Sequence, residues 1–315
     1  MKYRVTLLSL CLAAALMLPA AALTLSSGDA GNAAPIAENL TLTTYKNVAV
    51  HGQCAAVDPE GDLVTFQLVD KPARGQVELS EDGSFCYTPY ENKKGKDSFS
   101  YVAVDANGNV SSEATVKVTI EKQATKVTYS DMDGETAHYA AVRLAEEGIF
   151  TGTNMGGVYR FSPDETVTRG EFLAMAMTAA GAEALEGVTV TGFYDDKDIP
   201  TWAKGYVSAA LMSGTVQGSA NSEGQVVFSA ETPITVAEGA VIIDRLLAMG
   251  DVTAEDLEEG LVPTWAAQSV MNMTAVEVVS PDADMTASLT RGEAAEMLSA
   301  MLDVLDSREQ EGWLW

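Results

Sequence analysis

The chain has 315 residues, 47% of them hydrophobic, and its 45 Asp and Glu outnumber 19 Lys and Arg to give a formal net charge of −26. A field of that sign argues against nucleic acid and anionic lipid as general partners, so any anionic ligand needs a local cationic site. The hydrophobic content is that of packed domains rather than of an acidic tail, and the length accommodates two or three of them.

Residues 1–22 read as a secretory signal peptide: Lys2 and Arg4, the apolar run LLSLCLAAALMLP, then Ala20-Ala21-Ala22. The apolar run is shorter than the roughly 18–20 residues that span a bilayer. Cys11 follows Leu10 rather than a small residue, which argues against lipid attachment. The expected product is exported, without membrane insertion, and carries a charge of −28 once Lys2 and Arg4 have left with the leader. Residues 23–34, LTLSSGDAGNAA, read as a flexible linker.

From 35 to 121 the chain is strand-like. FQLV (66–69), QVEL (76–79), SFCY (84–87), SFSYVAV (98–104) and ATVKVTI (114–120) are rich in β-branched and aromatic residues, and several alternate with period two. Turn sequences separate them: DPEGD (58–62), EDG (81–83), NKKGK (92–96) and DANGN (105–109). Short strands at this spacing predict an antiparallel β-sandwich. Cys54 and Cys86 are an even pair in an exported protein, and a disulfide between them is one of two open states.

The turn DPEGD with GSFCYTP and GKDSFSYVAVDANG resembles the cadherin-like, immunoglobulin-like modules of bacterial surface proteins. The resemblance implies an all-β immunoglobulin-like sandwich over 35–121 whose partner is unnamed, with self-association or another surface molecule both open. It also points to Asp58, Glu60, Asp62 and Asp105 as calcium ligands, although turn chemistry alone accounts for these residues.

After a linker at 122–128 the pattern becomes helical. HYAAVRLAEEGI (138–149) and EFLAMAMTAAG (171–181) form a pair that recurs as WAKGYVSAALMSG (202–214) with AEGAVIIDRLLAMG (237–250), and as TWAAQSVMNMTAV (264–276) with GEAAEMLSAMLDVL (292–305). Aligning Arg169, Val236 and Arg291 spaces the units 67 and 55 residues apart, which gives repeats at 129–181, 193–250 and a degenerate 251–306, with a tail at 307–315.

The ordered features of YSDMDGETAHYAAVRLAEEGIFTGTNMGGVYRFSPDETVTRGEFLAMAM resemble the S-layer homology (SLH) domain, and FYDDKDIPTWA, TPITVAE, SPDADM and LTRGEA echo it downstream. The resemblance implies an all-α bundle of three repeats about a pseudo-threefold axis, with binding grooves between neighbours. It further implies non-covalent anchoring to the cell wall, at the cell surface or in an S-layer, through an anionic, pyruvate-bearing secondary polymer.

The phrase Thr168-Arg169-Gly170-Glu171 has a physical reading of its own. Thr168 with Glu171, Thr235 with Glu238, and Thr290 with Glu293 have the spacing of a capping box, so helix initiation accounts for them. Arginine at the first helical position faces the positive end of the helix dipole. Arg169 and Arg291 therefore either pair with carboxylates of neighbouring repeats or, beside free backbone N–H groups, face an anion. The resemblance favours the anion. Val236 breaks the pattern, and its groove should be silent. By the same resemblance Tyr139, Trp202 and Trp265 either stack on sugar or serve helix packing, while Asp131 and Asp195 either orient the arginines or cap turns.

Catalytic chemistry is thin: His51 and His138 have no nucleophile motif nearby, and 45 acidic residues supply too many accidental carboxylate pairs to be informative. The expected function is a non-catalytic, cofactor-free wall-anchored protein displaying a β-sandwich. The alternative is a calcium-assisted adhesion or S-layer assembly protein in which the sandwich is the binding end.

Overall fold

The computed structural model describes residues 32–252 and 262–310, so the leader, most of the first linker, the start of the third repeat and the last tail residues lie outside the described residues. The chain divides into two compact units at Ala124 and Thr125.

The first unit is built from two sheets and a short pair. A four-stranded sheet runs β2 (Leu40–Tyr45), β9 (Ala114–Glu121), β8 (Gly95–Asp105), β5 (Val64–Leu68); a three-stranded sheet runs β3 (Val50–Gln53), β7 (Ser84–Pro89), β6 (Gly75–Leu79). β1 (Ile36–Ala37) pairs with β4 (Ala56–Val57). The period-two pattern places Phe99, Tyr101, Ala103, Val116, Val118 and Ile120 in the core, against Phe66, Phe85 and Tyr87. Phe85 meets Phe99 edge-on at 5.2 Å between ring centres. The buried tyrosines keep their hydroxyls paired: Tyr101 donates to the Glu38 carbonyl at 2.6 Å, and Tyr87 donates to Asp97 at 2.8 Å.

One expectation needs correction here. The sandwich is not wholly antiparallel, because β2 runs parallel to β9 from Leu40↔Val116 to Tyr45↔Glu121. A long connection through the other sheet brings the first long strand back beside the last, a pairing that local turn signals do not report.

The second unit contains α1 (His138–Glu146), α2 (Arg169–Ala179), α3 (Lys204–Ser213), α4 (Val236–Leu247), α5 (Ala267–Ala275) and α6 (Arg291–Gln310). It is not purely helical. Two small hairpins, β10 (Thr153–Met155) with β11 (Val158–Arg160) and β12 (Ser219–Ala220) with β13 (Val226–Val227), occupy what the sequence suggests are plain loops. They carry too few residues to show a strand period.

The segments leading into α2, α4 and α6 close a ring of backbone hydrogen bonds. The Val167 amide donates to Leu289 O at 3.0 Å, Leu289 to Ile234 O at 2.8 Å, and Ile234 to Val167 O at 3.0 Å. Val167, Ile234 and Leu289 are all buried, so apolar side chains surround bonds shielded from water. Each helix start then reaches the next loop. Arg169 and Gly170 donate to the carbonyls of Thr232 and Ala230, Val236 and Ala237 to those of Ala287 and Met285, and Arg291 and Gly292 to those of Glu165 and Pro163.

Candidate functional site

The helix starts form as their sequences require. Thr168 and Thr235 each accept from the amide of the glutamate three residues on, and Glu171 and Glu238 return a bond to the N-cap amide. Thr290 and Glu293 do the same, at 3.2 Å and 2.8 Å. With the first two helical amides given to the neighbouring loop and the third to the threonine, each start has its leading N–H groups occupied. That corrects the expectation of free amides beside an arginine: these three helix starts leave no open terminal anion site, and a guanidinium is the cation that the starts of α2 and α6 offer.

Both arginines have carboxylate partners from a neighbouring repeat. Arg169 Nη1 lies 2.9 Å from Glu238 Oε1, and its guanidinium sits 5.3 Å from the centre of the Phe228 ring. Arg291 Nη2 lies 3.0 Å from Glu165, its Nη1 donates to the Phe161 carbonyl at 2.8 Å, and Phe150 lies beneath it at 5.4 Å.

Asp131 and Asp195 hold the loops that carry these aromatic residues. Asp131 accepts from the amides of Phe161 (2.9 Å) and Ser162 (2.8 Å), and Asp195 accepts from those of Phe228 (2.9 Å) and Ser229 (2.7 Å). Ser162 and Ser229 both adopt the left-handed conformation, with φ 57° and 60°, which the paired amide bonds hold in place. Both aspartates therefore act on the surroundings of Arg169 and Arg291 through the backbone rather than by touching either guanidinium, although Asp131 also lies 3.6 Å from Arg160 Nε. Burial works to raise the Asp131 carboxyl, but the Phe161 and Ser162 amides and Arg160 outweigh it and leave it below the usual carboxylate range.

The aromatic residues expected either to stack on sugar or to serve helix packing differ in exposure. Trp202 and Trp265 are 52% and 63% exposed, and no ring contact joins either to Arg169 or Arg291 among the described residues. Tyr139 is half-buried on α1, and burial lowers the pKa of its neighbour His138. Beside the Arg169 groove, a cleft of 900 Å³ is lined by Tyr194, Lys197, Asn221, Ser229 and Thr232.

The third groove has the opposite character. Val236 is 8% exposed and lines a 310 Å³ pocket with Val279, Leu289, Met297, Glu277 and Glu293. Neither Arg nor Lys lines it. Glu277, just after α5, sits at φ 59°, a strained conformation for a residue with a side chain, where the turns after α1 and α3 place Gly148 (72°) and Gly214 (81°).

In the sandwich, the acidic turns are turns. Asp58 accepts from the amides of Glu60 and Asp62, both at 3.0 Å, and Asp105 from those of Asn107 and Asn109, both at 2.8 Å. Glu60 accepts from the Ala33 amide, and Asn107 ties the two turns together through Asp62. One buried Asp58 oxygen lacks a partner, but calcium takes about 6–8 oxygens. Among the described residues no group of three or more His, Cys, Asp or Glu is disposed to hold a metal, so this set does not fit calcium. The disulfide is not formed either. Cys54 is buried in the core, where burial pushes its thiol up to about 12, whereas Cys86 lies between the core-facing Phe85 and Tyr87 and so points out of the sheet.

Comparison with known proteins agrees with this organisation. Residues 32–122 match the bacterial cadherin-like domain and residues 128–173 the S-layer homology domain. The surface-layer 125 kDa protein of Lysinibacillus sphaericus is 29% identical over 160 residues, 47% of this chain and 13% of that one. An endoglucanase of Bacillus sp. (strain KSM-635) is 24% identical over 196 residues, 58% of this chain and 20% of the enzyme. The chain thus spans a fifth or less of the length of these relatives. Among solved structures, the SrpA adhesin of Streptococcus sanguinis matches 34% of this chain and 65% of its own at 18% identity, with a TM-score of 0.25. No helix among the described residues is long and apolar enough to cross a membrane.

Proposed function

We propose that this chain, which carries a bacterial cadherin-like domain and an S-layer homology domain, is a non-catalytic cell-surface protein. In this reading, three S-layer homology units close about a pseudo-threefold axis, grip an anionic wall polymer between them, and display the sandwich. The observation that carries it is the ring at Val167, Ile234 and Leu289, with identical bonding from each helix start to the next loop. Three segments that bond alike are three copies of one unit, although the second and third have lost much of the family wording. Ringing the starts in this way sets one N1 side chain at each junction, where Arg169 and Arg291 supply the positive charge that a protein of net charge −26 otherwise lacks.

The glucanase among the relatives is an enzyme by name, but its match here covers a fifth of its length. The shared stretch is read as the means of attachment rather than the chemistry. The polymer is taken to bear carboxylates, since planar guanidinium groups pair with carboxylates in two-point geometry. Sedimentation with purified walls tests this. The chain should be retained by intact walls and released from walls stripped of secondary polymer; equal retention by both would refute polymer anchoring.

A further inference from the structure

The two groove arginines stand on the same backbone scaffold and are equally shielded, with side chains 17% and 16% exposed. Their carboxylate partners differ in kind. Glu238 holds Arg169 with one oxygen while the other accepts from the Thr235 amide at 3.1 Å. It is bound to its own helix start and cannot swing aside without giving up a cap bond. A ligand carboxylate arriving at Arg169 would lie beside that fixed charge, and like charges so close disfavour each other.

Glu165, the partner of Arg291, sits on a loop with its side chain 64% exposed. Its counterparts in the sister loops are Thr232 and Ala287, and all three positions serve the ring through their carbonyls alone. The Glu165 carboxylate is therefore not required by the scaffold. Nor does Arg291 depend on it for placement, because the Phe161 carbonyl holds Nη1 at 2.8 Å and Phe150 supports the guanidinium from beneath. With Glu165 turned to solvent, Nη2 faces outward on an arginine already fixed in position, which lowers the ordering cost of binding.

We propose that the groove between Arg291 and the loop carrying Glu165 is the working anion site. Glu165 occupies Arg291 until a carboxylate-bearing saccharide displaces it, and Arg169 is an internal arginine locked to Glu238. The choice of ligand rests on the polymer-anchoring reading; the ranking of the two arginines rests on their partners.

Calorimetric titration of the full chain with isolated wall polymer tests it, alongside polymer whose carboxylates have been amidated. Arg291→Gln should weaken binding at least about tenfold, the loss of one charge-assisted contact, and Arg169→Gln less than about twofold. Glu165→Gln should tighten binding about threefold or more, a gain that misfolding cannot imitate, whereas Glu238→Gln should leave affinity within about twofold. Equal losses from the two arginine variants, or weaker binding by Glu165→Gln, would overturn the ranking and leave anchoring intact. Equal binding of native and amidated polymer would overturn the anionic-ligand reading and this proposal together.

Discussion

Two parts of the helical unit use arginine in opposite ways. At the α1–α6 interface Arg143, its side chain 6% exposed, lies between Asp303 (2.6 Å) and Asp306 (3.0 Å) and also donates to the Ser299 carbonyl at 2.9 Å. Burial raises both aspartates above the usual carboxylate range, and Arg143 pulls in the opposite direction without cancelling the rise. At the helix starts, by contrast, the backbone and the Thr–Glu boxes do the structural work, and the N1 position accepts Arg169, Val236 or Arg291 with the same bonds to the next loop. An arginine's role follows from what its removal would leave behind. Without Arg143 two part-buried acids lose their counter-charge, whereas position 236 shows that a helix start forms without any charge.

The largest expected effect therefore lies at the interface. Arg143→Ala should cost about 1.5–3 kcal/mol in denaturant unfolding, since it leaves two carboxylates, each about a third exposed, without their charge-assisted bonds. A cost below about 1 kcal/mol would place Arg143 in the same class as the groove arginines. Next come the caps: Thr168→Ala and Thr235→Ala should each cost about 1 kcal/mol, and should match because the bonding matches. A clear inequality between them would show that the N1 arginine supports the cap after all.

Acid should act on the loop latches. Asp196 is held down to about 2 by the Lys204 ammonium and then the Thr191 amide, so its contribution is present above the unfolded value of 3.8 and is lost as pH falls toward 2. His138, lowered by burial, adds a loss as pH falls below 6.5, because the unfolded chain takes up its proton first. Asp196→Asn should flatten the melting temperature between about pH 4 and 2 relative to the parent. An unchanged slope would assign acid sensitivity elsewhere. The smallest effect belongs to Val236→Arg, which should cost less than about 1 kcal/mol: the valine is buried, but it lines a pocket where Glu277 and Glu293 can meet a guanidinium. A larger loss would mean that the third groove has repacked around valine.

The sequence made the caps readable, because Thr-x-x-Glu before an apolar run has few other uses. The two-unit plan was readable too, from period-two strands giving way to helix pairs. The ring at Val167, Ile234 and Leu289 was not: backbone bonds between loops leave no side-chain signature beyond three apolar residues. Nor were the partners of Arg143, since Asp303 and Asp306 are two among 45 acidic residues.

The most direct test removes both helix-start arginines in one variant. The double substitution Arg169→Ala, Arg291→Ala should abolish retention on polymer-bearing walls while denaturant unfolding stays within about 1 kcal/mol of the parent, as expected for ion pairs whose carboxylates stay within reach of water. Full retention, or loss of retention together with loss of fold, would contradict the claim that the helix starts are built by backbone and caps and leave the arginine for the ligand.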